Sequence, residues 1–252
     1  MGLPNKLAKF LWGSGKRNTR EFTYTGAEPP DKANMNDLEQ FFWFNSGPVV
    51  HKWLHYFDIY DRYFSAFRGT PVRFLEIGVS KGGSLDMWRN YFGPDAVLFG
   101  IDIDPTCAKF DGKSAQVRIG SQDDPVFLRK VIEEMGGVDL ILDDGSHDSI
   151  HIRKTLEVLF PFLTYGGCYM VEDLHAAYWP KFSGGYRRPA SFISVVKEMI
   201  DDIHHWYHCR GHSVAATGAE IKAIHVHDSI IVLEKGQNER PAHHRTGRDA
   251  LE

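Results

Sequence analysis

Two short segments of the sequence combine acidic side chains with a histidine, and each follows a run of apolar residues. One contains Asp144 three residues before His147, and the other contains Glu172 and Asp173. If the two apolar runs are adjacent parallel strands, their carboxyl ends lie about 4.8 Å apart and the acids converge. Carboxylates that share a crevice repel one another unless a cation lies between them, and a hard divalent ion satisfies this requirement. The pattern predicts a magnesium site on Asp144, Glu172 and Asp173, although helix capping or pairing with Lys and Arg would also explain the acids.

His147 belongs to the same crevice if Asp144 does, because they are so close in sequence. An imidazole has a reference pKa of about 6.5, so it can accept a proton at neutral pH. A hydroxyl bound to a divalent cation loses its proton more readily. We therefore predict His147 and Asp144 as catalytic residues, with His147 as the general base. A lone histidine after a turn is more often structural, so this prediction depends on the neighbouring carboxylates.

A glycine-rich turn joins an apolar run to a helix start between Glu76 and Ser84. Glycine lets the backbone approach a ligand, and the free N–H groups of a helix start favour a negatively charged one. The spacing is E-x-G-x-x-x-G-G, with Gly78 as the first glycine, whereas dinucleotide-binding turns read G-x-G-x-x-G. This difference disfavours NAD as the ligand. A turn that only permits tight packing would have the same composition.

Asp102 stands at the end of the next apolar run, nineteen residues after Gly83. An acid at this offset binds ribose hydroxyls in nucleoside-binding α/β folds. Capping of the following helix is the alternative role. After the third run, Ser121 and Gln122 occupy the place where an adenine edge would lie, and either side chain is a candidate partner for it.

These residues require strands that end at one edge of a sheet. Short apolar runs alternate with segments of helical periodicity, which is typical of βαβ units in a doubly wound α/β fold. Asp124 is placed to cap a helix with Pro125 at its first position. Two final β-rich runs predict a hairpin, so one strand must run antiparallel to its neighbour. The predicted strands are 72–77, 97–103, 115–119, 138–142, 168–171, 220–227 and 229–235, and the predicted helices are 49–67, 125–135, 149–162 and 189–206.

Four segments of the sequence resemble a known family. Glu76–Ser84, Gly100–Pro105, Asp143–His147 and Val171–His175 are similar to the class I S-adenosylmethionine-dependent methyltransferases, and in particular to the metal-dependent sugar O-methyltransferases of macrolide and methylmannose polysaccharide biosynthesis. The resemblance covers roughly residues 51–235. Its specific part is the DGSH and ED motifs, because the glycine turn is common to the whole superfamily.

The resemblance implies a Rossmann-like, seven-stranded and mostly parallel sheet of order 3-2-1-4-5-7-6, with strand 7 antiparallel and helices on both faces. It also implies magnesium on Asp144, Glu172 and Asp173, with His147 as general base. Many relatives have Asp at the position of Ser121, which leaves open the side chain that reads the adenine amino group. The residues expected to bind S-adenosylmethionine are Glu76, Gly78, Ser84, Asp102, Ser121, Gln122 and Asp143.

The segment after the fifth predicted strand is a candidate acceptor site. Tyr178 and Trp179 have aromatic faces that suit sugar rings, and Arg187 could contact an anionic or extended substrate. Ordinary loop packing explains the same residues equally well. The expected acceptor is a saccharide or a glycosylated small molecule.

Composition excludes several other classes of function. The formal net charge of -4 gives no basic face for nucleic acid. No apolar run approaches the roughly 18 residues that span a bilayer, and three separated cysteines fit a reducing compartment, so a cytoplasmic protein is expected. We expect an N-terminal arm or lid at 1–48, a methyltransferase domain at 49–236, a disordered tail at 237–252, and a homodimer.

Three alternative functions remain open from the sequence. A catechol-type or other small-molecule O-methyltransferase would also present paired acceptor oxygens to magnesium. An NAD-dependent oxidoreductase could use the same sheet, but the glycine spacing and the acid cluster disfavour it. A non-catalytic cofactor-binding subunit would not need His147 and three carboxylates to meet.

Overall fold

The computed structural model describes residues 28–208 and 216–247. The chain divides into two compact units, 1–34 and 35–252. Of the first unit the structure describes 28–34, which include the short 3-10 helix Lys32–Asn34. Residues 1–27 of the expected N-terminal arm lie outside the described residues. The expected domain boundaries stay predictions, but Leu38 already packs in the core of the second unit.

A seven-stranded sheet with the strand order β3-β2-β1-β4-β5-β7-β6 forms the centre of the second unit. The first five strands pair in parallel, and β7 is antiparallel to both β5 and β6. Both the predicted order and the antiparallel seventh strand are therefore confirmed. The strands are β1 (Arg73–Ile77), β2 (Val97–Asp102), β3 (Gln116–Ile119), β4 (Val138–Asp143), β5 (Leu163–Val171), β6 (Ile221–Val226) and β7 (Ile231–Lys235).

Helices cover both faces of the sheet and bury its two layers of apolar side chains. The predicted cap is present, since the Asp124 carboxylate accepts the N–H groups of Val126 and Phe127 ahead of a helix with Pro125 at its start. The α-helices are α1 (Asp37–Trp43), α2 (Tyr56–Phe64), α3 (Gly83–Phe92), α4 (Pro125–Met135), α5 (Ser149–Leu159), α6 (Phe192–Ile203) and α7 (Ala216–Ala219).

Two predicted elements begin well away from the observed ones, and the predicted helix 189–206 is shorter at both ends, as α6. The predicted helix 49–67 starts only at Tyr56. Residues 49–53 have no regular secondary structure, 54–55 form a turn, and Lys52 reaches towards two carboxylates in the cavity. Strand β5 begins at Leu163, whereas the sequence predicted a start at 168. The prediction began late because the glycines 166–167 weaken the apolar pattern that marks a strand. The pairing of β4 with β5 is irregular at this end.

The strand order reverses between β1 and β4, and a crevice opens at their carboxyl ends, as doubly wound sheets require. The N–H of Asp144 donates to the carbonyl oxygen of Ile77 over 2.9 Å, which brings the chain after β4 against the chain after β1. Gly78 has a φ of +99°, and a Cβ built on it would overlap the carbonyl oxygen of Asp144. The close approach of these two segments therefore requires glycine at position 78.

We expect Gly78→Ala to destabilise the protein by several kcal/mol, because it combines backbone strain with overlap against Asp144. Gly112→Ala is the matched control, since Gly112 also has a positive φ (+72°) but has open space around its Cβ position. That control should cost only about 1 kcal/mol. Chemical denaturation measures both free energies of unfolding, and equal losses would contradict the role assigned to the close approach.

Candidate active site

A cavity of about 390 Å³ occupies the crevice at the carboxyl ends of the parallel strands. This volume lies in the range of small-molecule sites, roughly 300–1,000 Å³. The segment before α2 forms one wall and the loop after β4 forms another. Residues predicted from the sequence that line the cavity are Gly78, Ser84, Asp102, Ser121, Gln122, Asp144, His147, Glu172 and Asp173.

Asp144, His147 and Asp173 meet at one end of the cavity. His147 Nε2 lies 3.6 Å from Asp173 Oδ2 and 4.0 Å from Asp144 Oδ1. Within the described part of the chain, these three residues are one group of acid and imidazole side chains whose ligand atoms all lie within 4.8 Å of one another. Carboxylate oxygens are the ligands that magnesium prefers. The donor set and its spacing therefore fit a divalent cation.

Glu172 lies beside this group, but both of its oxygens have partners in the chain. Lys52 Nζ is 2.7 Å from Glu172 Oε1 and 2.5 Å from Asp144 Oδ2, and the Tyr60 hydroxyl donates to Glu172 Oε2. Burial raises the pKa of Glu172 well above its usual range, the charge of Asp144 adds to this, and Lys52 opposes it. Burial also raises the pKa of Asp144, again against Lys52. The Lys52 ammonium is thus the charge that offsets these two acids.

Three polar side chains from one segment reach the acids, and sequence reasoning did not assign them to the carboxylates. Lys52 pairs with two of them, Tyr60 donates to Glu172, and the Tyr56 hydroxyl donates to Asp173 Oδ1 over 2.7 Å. Both tyrosines are fully buried, and a buried tyrosine hydroxyl needs a hydrogen-bond partner. In the sequence, the one sign of this role is that Tyr56 and Tyr60 lie four residues apart on the apolar face of a helix. Packing in the core explains that spacing equally well.

A buried amide fixes the loop that carries His147. Gln122 Oε1 accepts the N–H of Ser146 over 2.7 Å, and Gln122 Nε2 donates to Asp143 Oδ1 over 3.2 Å and to Thr155 Oγ1 over 3.1 Å. His147 itself has a φ of +57°, in the left-handed region. Residues other than glycine hold such a conformation only where the surroundings determine it. Gln122, in the turn after β3, therefore holds the loop after β4 in one conformation.

Asp102 and Ser121 border the cavity as predicted, but neither side chain is without a partner. Asp102 accepts the N–H of Ser80 over 2.8 Å and that of Asp104 over 2.9 Å, and its side chain is half-exposed. The Ser121 hydroxyl donates to Asp123. A carboxylate has further lone pairs, so Asp102 can still accept a ligand hydroxyl.

Glu76 and Asp143 lie behind the cavity wall. Glu76 accepts the Ser84 hydroxyl over 2.8 Å and the Trp88 indole N–H over 3.0 Å, and Asp143 accepts the Tyr169 hydroxyl over 3.0 Å. Burial raises the pKa of Glu76 to about 7 and that of Asp143 to about 6. Cofactor binding by these two acids stays a prediction, and from these positions each would act through its neighbours.

The predicted acceptor residues Tyr178, Trp179 and Arg187 do not line the cavity. Tyr178 and Trp179 are exposed. The Trp179 ring lies 5.1 Å from His175 and 6.1 Å from Phe182, between ring centroids. Arg187 is exposed, and its guanidinium lies over a neighbouring tyrosine ring. Contact of these side chains with an acceptor stays a prediction.

No protein-family model matches the chain. Over 198 residues it is 36% identical to the 8-demethyl-8-(2-methoxy-alpha-L-rhamnosyl)-tetracenomycin-C 3'-O-methyltransferase of Streptomyces olivaceus, which covers 74% of this chain and 50% of that protein. Over 222 residues it is 34% identical to the demethylmacrocin O-methyltransferase of Streptomyces fradiae, covering 82% of this chain and 54% of that protein. The chain thus spans about half the length of the curated relatives it matches.

A solved structure has the same architecture. The MycE methyltransferase from the mycinamycin biosynthetic pathway, in complex with Mg, SAH and mycinamycin VI, superposes with a TM-score of 0.71 at 31% sequence identity, covering 81% of this chain and 53% of that one. The fold is therefore the class I methyltransferase fold, with its seven-stranded sheet of order 3-2-1-4-5-7-6.

The chain belongs to the class I S-adenosylmethionine-dependent methyltransferases. Within that class it is similar to sugar O-methyltransferases of glycosylated polyketides. In the described part of the chain, no helix is long and apolar enough to cross a membrane.

The raised pKa of Glu76 predicts a pH-dependent loss of stability. Its carboxyl holds its proton up to about pH 7 in the folded protein but only to about pH 4.5 in the unfolded chain. The folded state therefore binds more protons in this window, and stability falls as the pH rises through it. Between these two pH values the wild-type free energy of unfolding should fall by on the order of 3 kcal/mol through this group, and Glu76→Gln should remove that fall.

Chemical denaturation from pH 4 to 8 measures this effect as the difference between wild type and Glu76→Gln. Glu133→Gln, at an exposed position on α4, is the matched control and should follow the wild-type curve. A Glu76→Gln curve parallel to wild type at every pH would contradict the raised pKa.

Proposed function

We propose that the chain transfers the methyl group of S-adenosylmethionine to a sugar hydroxyl of a glycosylated natural product, with magnesium bound at the acid group and His147 as general base. The observation that carries this proposal is the grouping of Asp144, His147 and Asp173 at the end of a cavity of suitable size. The relative from Streptomyces olivaceus is named as the 3'-O-methyltransferase of a rhamnosyl-tetracenomycin, which supports the substrate class.

Asp144 and Asp173 would hold the magnesium ion, with His147 beside it. Asp144 Oδ1 and Asp173 Oδ2 both face the imidazole, whereas Asp144 Oδ2 and Asp173 Oδ1 are held by Lys52 and Tyr56. A bound divalent cation would lower the pKa of an acceptor hydroxyl. The two carboxylates thus supply hard oxygen ligands in orientations that the rest of the chain fixes.

His147 would take the proton that the acceptor hydroxyl loses. Its Nε2 faces two carboxylates at 3.6 and 4.0 Å, at the end of the cavity where the acceptor hydroxyl would bind. The loop that carries it is held by Gln122 through the N–H of Ser146, and its ring lies 6.3 Å from that of Phe182 between centroids. Proton transfer requires such a fixed position close to the reacting oxygen.

The rest of the cavity would bind the methyl donor. Asp102 would accept the ribose hydroxyls, and Ser121 and Gln122 border the region expected for adenine. Gly78 lines this part of the cavity, so its backbone is accessible to a ligand. Because the sulfonium methyl is already reactive, the contribution of the protein is alignment.

An aromatic wall at the mouth of the site would receive the sugar. We use this term for Trp53, His175, Trp179 and Phe182, whose neighbouring rings lie 5.1–6.1 Å apart between centroids. The wall adjoins His147 through Phe182. Aromatic faces pack against the C–H faces of sugar rings while leaving the hydroxyls free to reach the acids.

The proposal predicts methylation of glycosides in a panel of acceptors. Purified protein, S-adenosylmethionine and Mg²⁺ should add one methyl mass to glycosylated polyketides that carry a free sugar hydroxyl, but not to their aglycones, as measured by mass spectrometry. EDTA should remove the activity and added Mg²⁺ should restore it. Methylation of catechols in place of the glycosides would favour the alternative acceptor, and full activity in EDTA would contradict the metal site.

His147→Ala should lower turnover by roughly 10²- to 10⁴-fold, the usual effect of losing a general base. The affinity for S-adenosylmethionine, measured by calorimetry, should stay near wild type, because His147 lies at the acid end of the cavity. His225→Ala is the control, since His225 also pairs with a carboxylate, Glu234, but on the edge strand β6. A parallel loss of affinity and turnover in His147→Ala would indicate a structural role instead.

A further inference from the structure

Lys52 is a buried cation beside the three carboxylates of Asp144, Glu172 and Asp173, which together are called the acid group here. Its side chain is 3% exposed, and its Nζ lies 2.5 Å from Asp144 Oδ2 and 2.7 Å from Glu172 Oε1. Among residues 28–208 and 216–247, no other Lys or Arg forms an ion pair with Asp144, Glu172 or Asp173. A lysine this deeply buried is stable only with charged partners, and it contacts two.

The charge of the group follows from this pairing. Both oxygens of Glu172 accept hydrogen bonds, from Lys52 and Tyr60, so its carboxyl is counted here as ionised. Together with Asp144 and Asp173 it contributes three negative charges, and Lys52 offsets one of them. Two negative charges remain, and one divalent cation neutralises them. Lys52 and Glu172 are buried, and charges this close interact strongly there, so the ammonium must influence any ion that binds beside them.

Lys52 also determines which oxygen of Asp144 faces the proposed cation. Because the ammonium holds Asp144 Oδ2, the other oxygen, Oδ1, points towards His147 Nε2 at 4.0 Å. Tyr56 has the same effect on Asp173, by holding Oδ1 and leaving Oδ2 3.6 Å from His147. The ligand atoms are therefore arranged from behind by the segment that precedes and begins α2.

We propose that Lys52 is a positioning residue that adapts the site to one divalent cation, by cancelling one carboxylate charge and by orienting Asp144. The inference rests on the proposed magnesium site. In this proposal, the charge of Lys52 makes the site prefer a divalent to a trivalent ion. Without the ammonium, the site would carry one more negative charge and would favour the ion of higher charge.

The test compares Mg²⁺ and Tb³⁺ binding to wild type and Lys52→Met. Calorimetry measures the Kd for Mg²⁺, and terbium luminescence, sensitised by Trp53 and Tyr56, measures the Kd for Tb³⁺. Lys52→Met should bind Tb³⁺ at least about tenfold more tightly, and its preference for Tb³⁺ over Mg²⁺ should increase, because the lost repulsion scales with ion charge. Lys52→Arg keeps the charge and should retain the wild-type preference.

Lys154→Met is the matched control, because Lys154 pairs with Asp123 at 3.4 Å on the exposed surface. It should leave both dissociation constants unchanged. An unchanged or reduced preference for Tb³⁺ in folded Lys52→Met would overturn the proposal.

A second variant keeps the test decisive if Lys52→Met does not fold. Lys52→Met/Glu172→Gln removes the buried pair together and keeps two negative charges, so its preference between the ions should equal that of wild type. A preference shifted towards Tb³⁺ in this double variant would contradict the charge argument. Absence of Mg²⁺ binding to wild type would contradict the metal site itself, whereas normal wild-type binding with an unchanged Lys52→Met contradicts only the role of Lys52.

Discussion

The active-site end of this protein depends on holding three carboxylates together against their mutual repulsion. Asp144, Glu172 and Asp173 come from the ends of two adjacent strands, where parallel pairing brings them together. Burial raises the pKa of Glu172 and of Asp144, so both ions need compensation within the protein. Lys52 and two tyrosine hydroxyls provide it from one short segment. The position of that segment over the sheet is therefore an electrostatic requirement as well as a packing arrangement.

The topology of the sheet determines where this charged group can lie. Strand order reverses between β1 and β4, so the helices that follow these strands leave on opposite faces and open a crevice between them. Gly78 permits the chain after β1 to touch the chain after β4, and Asp144 is the residue of the second segment that makes this contact. The proposed donor cavity and the acid group are consequently two ends of one crevice. A methyl donor and an acceptor hydroxyl bound at these ends would be neighbours, as in-line transfer requires.

A hydrogen-bonded network links the two ends of the crevice. Gln122 follows β3 near the expected adenine position, and its amide holds the backbone of Ser146 next to His147. The same amide contacts Asp143, which is itself held by Tyr169. The left-handed conformation of His147 is thus maintained by buried groups from several elements. Gln122 therefore has a structural part in the site whether or not it also contacts the cofactor.

From the sequence, local apolar runs and turns predicted the α/β class and the terminal hairpin, and the resemblance of four motifs to a known family implied the strand order. Motif spacing after two apolar runs predicted that the acids and His147 lie in one crevice. Only the tertiary structure revealed that Lys52, Tyr56 and Tyr60 serve the acids, since the two groups are about a hundred residues apart in sequence. It also decided that both oxygens of Glu76 are bonded within the chain behind the cavity wall. A helical pattern of apolar spacing says which face is buried, but the partner of a buried polar atom depends on long-range packing, which no local pattern contains.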